Sequence, residues 1–96
     1  MCIKTKKMKV KIKLFGASRD FSNNGYLNFD VEKNSTIKDI RKKLINFLEK
    51  EFNGNENYKK IVHSSAFCSE DNNIVSDNYK ITNNEKIAII PPIGGG

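Results

Sequence analysis

His63, Ser64, Ser65 and Cys68 crowd one short segment, and the α-carboxylate of Gly96 stands at the end of the sequence. Acyl transfer by a side chain needs a nucleophile held against a base, and proximity in sequence is not a triad. A lone histidine beside a strand is more often structural. Asp and Glu are scattered along the chain, and no Gly-rich loop follows a strand and opens a helix to cradle a phosphate. The remaining reactive group is the Gly96 carboxylate, an anion at neutral pH and a poor electrophile. ATP can convert such a carboxylate to an acyl-adenylate, whose good leaving group admits a sulfur or nitrogen nucleophile. Sulfur then yields a thiocarboxylate, and an amine yields a conjugate.

The approach to that carboxylate is unusual. Pro91-Pro92-Ile93-Gly94-Gly95-Gly96 holds both prolines and half of the glycines of the chain. Two prolines lack N–H donors and fix φ, so they send the chain out of a sheet as an extended arm. Glycines without Cβ let the backbone enter a channel too narrow for side chains. At about 3.3 Å per residue the arm reaches about 20 Å, enough to enter a neighbour's active site. A frayed or artificial tail has similar composition. Lys86-Ile87-Ala88-Ile89-Ile90, which reads as a buried terminal strand, ties this tail directly to a core.

The elements that must position the arm are legible in the hydrophobic pattern. Met8, Val10, Ile12 and Leu14 alternate with lysines, a half-buried strand, and Leu27, Phe29 and Val31 repeat the alternation after a loop containing Gly16 and Gly25. These predict a hairpin with a wide loop. Ile37, Ile40, Leu44, Phe47, Leu48 and Phe52 fall at helical spacing. Ser35 or Thr36 caps that helix, Asp39 completes a box with Thr36, and Asn53-Gly54 provides a left-handed exit. Residues 55–60 read as polar loop and 61–68 as a strand with poor alternation. Ile74-Val75 reads as a short strand, and Thr82-Asn83-Asn84-Glu85 as a tight turn into the last one. One helix on one mixed sheet, an α+β unit, is the economical architecture.

The 96 residues fit one domain, divided into an extension at 1–6, a folded unit at 7–90 and a tail at 91–96. No apolar run approaches the ~20 residues of a membrane span and no signal-peptide stretch opens the chain, so a soluble, cytoplasmic protein without a membrane partner is expected. Cys2 and Cys68 belong to no metal-binding spacing and read as reduced thiols, with no metal site expected. The net charge is +6, concentrated by Lys4, Lys6, Lys7, Lys9, Lys11 and Lys13. Such a bias attracts RNA or an acidic protein surface. The same lysines also fit a solvated strand face or a protected sheet edge, and no aromatics interleave with them to stack on bases.

The element order, with a long helix after the first hairpin and a final strand running into Gly-Gly, resembles the β-grasp fold of ubiquitin-like proteins, in which the first and last strands lie side by side. Residues Ile87 to Gly96 resemble the terminal signature of the MoaD family, the small subunits of molybdopterin synthase: an aliphatic strand, Pro-Pro, an aliphatic residue, a variable residue and Gly-Gly. Val10 to Arg19 resembles the family's first strand, its Phe-Ala-like corner and its following arginine. The family's usual Asp-Gly-Asp turn stands here as Asn83-Asn84-Glu85, and its Val-Asn segment as Ala66-Phe67-Cys68.

This resemblance implies a sulfur carrier that is not catalytic alone. Gly96 would be adenylated by a MoeB-like activating enzyme that consumes ATP, and a sulfur donor protein would convert it to thiocarboxylate. The tail would insert into a large, MoaE-like synthase subunit and give its sulfur to cyclic pyranopterin monophosphate, two carriers serving each pterin. Gly95 and Gly94 would allow passage, Pro91 and Pro92 direct the arm, Ile93 anchor it, and Phe15 join an apolar partner surface on the sheet. No bound cofactor and no nucleic acid are implied. The same terminus also suits a carrier for thiamine, tRNA or another acceptor, or a protein modifier, and a β-grasp RNA-binding or scaffolding module would use the lysine strand instead.

Overall fold

The computed structural model describes residues 7–92. The proposed extension at 1–6, and Ile93, Gly94, Gly95 and Gly96, lie outside the described residues.

Strands β1 (Lys7–Leu14) and β2 (Tyr26–Glu32) form the antiparallel hairpin. Between them the chain makes a 3-10 helix at Gly16–Phe21 rather than an open loop, which brings Phe21 into the core. The two-residue β3 (Ser35–Thr36) leads into helix α1 (Ile37–Glu51). Its start is the expected capping box: Asp39 Oδ2 accepts from the Thr36 N–H at 2.9 Å and Thr36 Oγ1 from the Asp39 N–H at 3.4 Å. These hydrogen bonds to the charged form, led by the backbone one, hold the Asp39 carboxyl below its ordinary range. The helix ends with Asn53 and Gly54 both at positive φ, as their types require.

The segment after Gly54 departs from the sequence expectation. Residues 56–64 are a second helix, α2 (Glu56–Ser64), and only Ala66–Cys68 forms a strand, β4. The Asn55 side chain accepts from the Tyr58 N–H at 3.1 Å, an N-cap that the reading as a loop overlooked. The β-branched pair Ile61-Val62 suggests a strand, yet Tyr58, Ile61, Val62 and Ser65 lie at helical spacing and pack inward. Arg41 joins the helices: its Nη1 donates to the Val62 carbonyl at 2.6 Å, its Nε to Asp77 at 3.1 Å, and its guanidinium lies 4.7 Å from the Phe67 ring centre.

After β5 (Ile74–Val75) and β6 (Lys80–Ile81), which pairs with β3, the chain ends its described part in β7 (Glu85–Ile90). The main sheet has the order β2-β1-β7-β4-β5. Strands β1 and β7 run parallel, in register from Val10↔Glu85 to Leu14↔Ile89, and β4 flanks β7 antiparallel. The first and last strands therefore lie side by side, as the resemblance implied. Met8, Val10, Ile12, Leu14, Ile87, Ile89 and Phe67 from the sheet meet Ile37, Ile40, Leu44 and Leu48 from α1, all buried. One expectation needs revision here. The last strand is not buried throughout: Ile87 and Ile89 face the helices, while Ile90 is 36% exposed on the opposite face. Its apolar run serves two surfaces.

Candidate functional site

The site is built where β7 hands the chain to the tail. Pro91 is buried directly after Ile90, and Pro92 is exposed. The Pro91 ring lies beside Gly16, whose φ is +55°; a Cβ there would meet the ring carbons at 3.9 Å, an ordinary contact. The left-handed backbone, more than lack of space, is what calls for glycine at this position. The corner after β1 is thus the seat on which the tail's first residue rests.

Ser18 fixes that corner. Fully buried, its hydroxyl donates to the Phe15 carbonyl at 2.7 Å and accepts the Phe15 N–H at 3.0 Å. Both backbone groups of Phe15 are satisfied by one side chain, which holds its ring outward, 46% exposed. Ser18→Ala leaves the Phe15 N–H without a partner, while the Phe15 carbonyl keeps the Ser18 backbone N–H at 3.1 Å, and the expected loss is about 1–3 kcal/mol of unfolding free energy in urea titration.

Around this seat the sheet face turned away from the helices is apolar. Antiparallel and parallel register put Phe15, Ala88, Ile90, Ala66 and Cys68 on one surface, and Ile74, opposite Cys68 in β5, is 76% exposed. Phe15, Ile74 and Ile90 are the large hydrophobic side chains most open to solvent among the described residues, and all three share this face. A shallow depression of about 200 Å³ runs between Phe15, Cys68, Ala88 and Ile90, with Lys13 and Lys86 at its margin. Sequence reasoning singled out Phe15 alone. The unbroken apolar run of β7 suggests core positions for Ala88 and Ile90, and only the alternation of β7 about its neighbours reveals their outward face.

The side chains grouped in sequence at 63–68 are separated in space. His63 is exposed on α2 beside Lys38, Arg41 and Asp77, whereas Cys68 lies on the sheet. Ser64 and Ser65 direct their hydroxyls to the Lys60 and Ile61 carbonyls of the same helix. None of these contacts aligns a nucleophile with a base.

The opening of β7 carries a titratable pair. Tyr79 donates its hydroxyl to Glu85 at 3.0 Å. Burial raises the Glu85 carboxyl above its ordinary value, the Tyr79 hydrogen bond opposes that rise, and Glu70 and Asp71 add to it. A carboxyl whose folded pKa is raised contributes most stability below its unfolded pKa and loses it as pH rises through the folded value. Glu85→Gln removes this dependence. The wild-type stability minus that of the variant is expected to fall as pH is raised from about 4 to 7, read from urea midpoints.

Comparison with known proteins places this geometry. No curated protein matches the chain. Among solved structures, SAMP1 from Haloferax volcanii is similar with a TM-score of 0.65 and 18% identity, covering 92% of this chain and 99% of that one. A putative molybdopterin converting factor subunit 1 from Pyrococcus furiosus has a TM-score of 0.67 and 16% identity, covering 90% and 99%. The complex of subunits 1 and 2 of molybdopterin-converting factor from Helicobacter pylori contains a chain with a TM-score of 0.54 and 22% identity, covering 93% and 100%. These likenesses show a ubiquitin-like β-grasp fold. The ThiS family pattern matches residues 12–96, from the middle of β1 through the terminal glycines, and the chain accordingly belongs to the ThiS family, a sulfur-carrier branch of that fold.

Proposed function

We propose that the protein is the sulfur-carrying small subunit of a molybdopterin synthase. The observation that carries this reading is the seat of the tail: a strand at the centre of the sheet ends in a buried Pro91 beside an exposed apolar face, so a terminal arm departs from a rigid, dockable base. The Pro-Pro-Ile-Gly-Gly-Gly sequence supplies an arm of the right chemistry.

With Gly96 as the carboxyl terminus, its carboxylate attacks the α-phosphate of ATP on an activating enzyme and pyrophosphate leaves. The terminal sulfur of a persulfide donor attacks the acyl carbon and AMP leaves. A thiol of the donor or activating enzyme then cleaves the acyl disulfide, becoming oxidised to a disulfide itself and freeing the thiocarboxylate. The larger subunit receives the arm, with Phe15, Ala88 and Ile90 against its surface, and the sulfur passes to cyclic pyranopterin monophosphate. Hydrolysis returns the carboxylate. No step needs a cofactor resident on this chain, and a cytoplasmic setting supplies ATP and reduced thiols.

The test is the intact mass of the protein after incubation with the activating enzyme of its own organism, ATP and a sulfur donor, with fragmentation to locate the change. Exchange of oxygen for sulfur at Gly96 is expected. An unmodified terminus, with the activating enzyme shown to be active, overturns the reading. A second reading, ligation of Gly96 to amines as a protein modifier, draws on the likeness to SAMP1, the small archaeal modifier protein 1 of Haloferax volcanii. Adducts on target lysines in place of the thiocarboxylate would select it.

A further inference from the structure

We infer that the partner surface receiving the outer sheet face is acidic, with carboxylates set against Lys11, Lys13 and Lys86. This rests on the docking face proposed above and specifies the chemistry of its partner.

The lysines of β1 guard no sheet edge. β1 lies between β2 and β7, hydrogen-bonded on both sides, so protection against edge pairing does not account for them. Along the strand their surroundings differ. Lys7 and Lys9 stand opposite Glu32 and Asp30 of β2. Lys11 and Lys13 stand opposite Asn28 and Tyr26, and on the β7 side Lys11 is in register with Lys86, Lys13 with Ala88. Like charges in register destabilise a sheet. Among the described residues the ion pairs draw their cations only from Arg41 and Lys59, so none is made by these three lysines, although Glu70 and Glu85 share a groove with Lys11 and Lys86. The Lys11 ammonium rests 4.4 Å from the Tyr26 ring centre, which holds it at the surface.

The patch is also placed for docking. A groove of about 340 Å³ joins Lys11, Lys13, Arg19 and Phe15 and is lined by no carboxylate. The neighbouring depression at Ala88 and Ile90 has Glu70 as its one carboxylate, against Lys13 and Lys86. Cations and apolar side chains therefore form one continuous surface at the root of the tail. An acidic protein surface with an apolar centre matches both halves. A nucleic acid would use the cations and leave Ala88, Ile90 and Ile74 unmatched.

The experiment measures association of the full chain with the larger synthase subunit of its organism by stopped-flow fluorescence, at about 0.01 M and about 1 M salt, where screening lengths are ~30 and ~3 Å. For K11E/K13E/K86E the association rate is expected to fall at least about tenfold at low salt and to approach the wild-type rate at high salt. The variant K42E/K43E/K50E carries the same charge change on α1 and is expected to lose less than about threefold. K11Q/K13Q/K86Q, a milder change, is expected to show the same salt-dependent loss at smaller size. Wild-type rates in the sheet variants, or equal losses in the sheet and helix variants, overturn the inference. So does loss of binding to a uridine oligonucleotide with the rate toward the subunit unchanged. Ile90→Asp separates the levels: if it abolishes binding while the lysine variants do not, the docking face stands and only the acidic partner falls; if it too binds normally, the docking face fails and the inference with it.

Discussion

Deletion of Gly96 is expected to abolish sulfur loading and to leave the urea midpoint of unfolding unchanged. The reacting atom in the proposed cycle is the carboxyl carbon of residue 96, and removing one residue withdraws the carboxylate by about 3.3–3.6 Å. Displacements of ~1 Å already cost about 100-fold in positioned reactions, so loading should drop below detection in the mass assay. Gly95→Trp tests the channel separately: the carboxylate keeps its place in the chain, but the bulky side chain cannot pass where glycine can. Sulfur transfer should fall at least about 100-fold. Stability is expected to be spared because, among the described residues, the buried hydrophobic core runs from Met8 to Ile89. Normal transfer by either variant would remove the terminus from the mechanism.

Ile90→Asp gives the second large effect, loss of affinity for the larger subunit by at least about 30-fold, the scale of an interface anchor worth ~2 kcal/mol. Ile90 is the last residue of a strand whose inward residues Ile87 and Ile89 are fully buried, yet its own side chain faces outward beside Phe15. A carboxylate there is solvated in the free domain and desolvated in the complex. Phe15→Asp should act in the same direction. Calorimetric titration reads the affinity, and circular dichroism checks that the fold is retained; undiminished binding by both variants would place the partner on another surface. Ile89→Ala provides the contrast, destabilising the domain by about 2–5 kcal/mol through a cavity in the core.

The difference between these adjacent residues marks the limit of what the sequence discloses. Alternation in β1, helical spacing in α1 and its Thr36–Asp39 box are local patterns, and each appears in the structure as read. The ends of the chain's chemistry, Gly96 and its prolines, are equally local. The outward face of β7 is not. Four apolar residues in succession suit a strand covered on both sides, and only the β1 and β4 registers show that Ala88 and Ile90 look away from the helices. The α2 segment is obscure for a different reason: its inward residues include β-branched Ile61 and Val62, whose strand propensity over so short a window masks the Asn55 cap. Ser18 carries no signal of its own in the sequence, because its two hydrogen bonds to Phe15 depend on the 3-10 turn that joins them.

The parallel pairing of β1 and β7 also determines how the domain bears force. The beginning of β1 and the end of β7 lie at opposite ends of one ladder, so tension applied between Lys7 and Pro92 shears that ladder lengthwise. Its evenly spaced bonds share the load together, where a hairpin pulled at its open end parts one bond at a time. The β4 ladder on the far side of β7 braces the same strand. A machine hauling on the tail would therefore meet its greatest resistance at the outset, before any helix had moved.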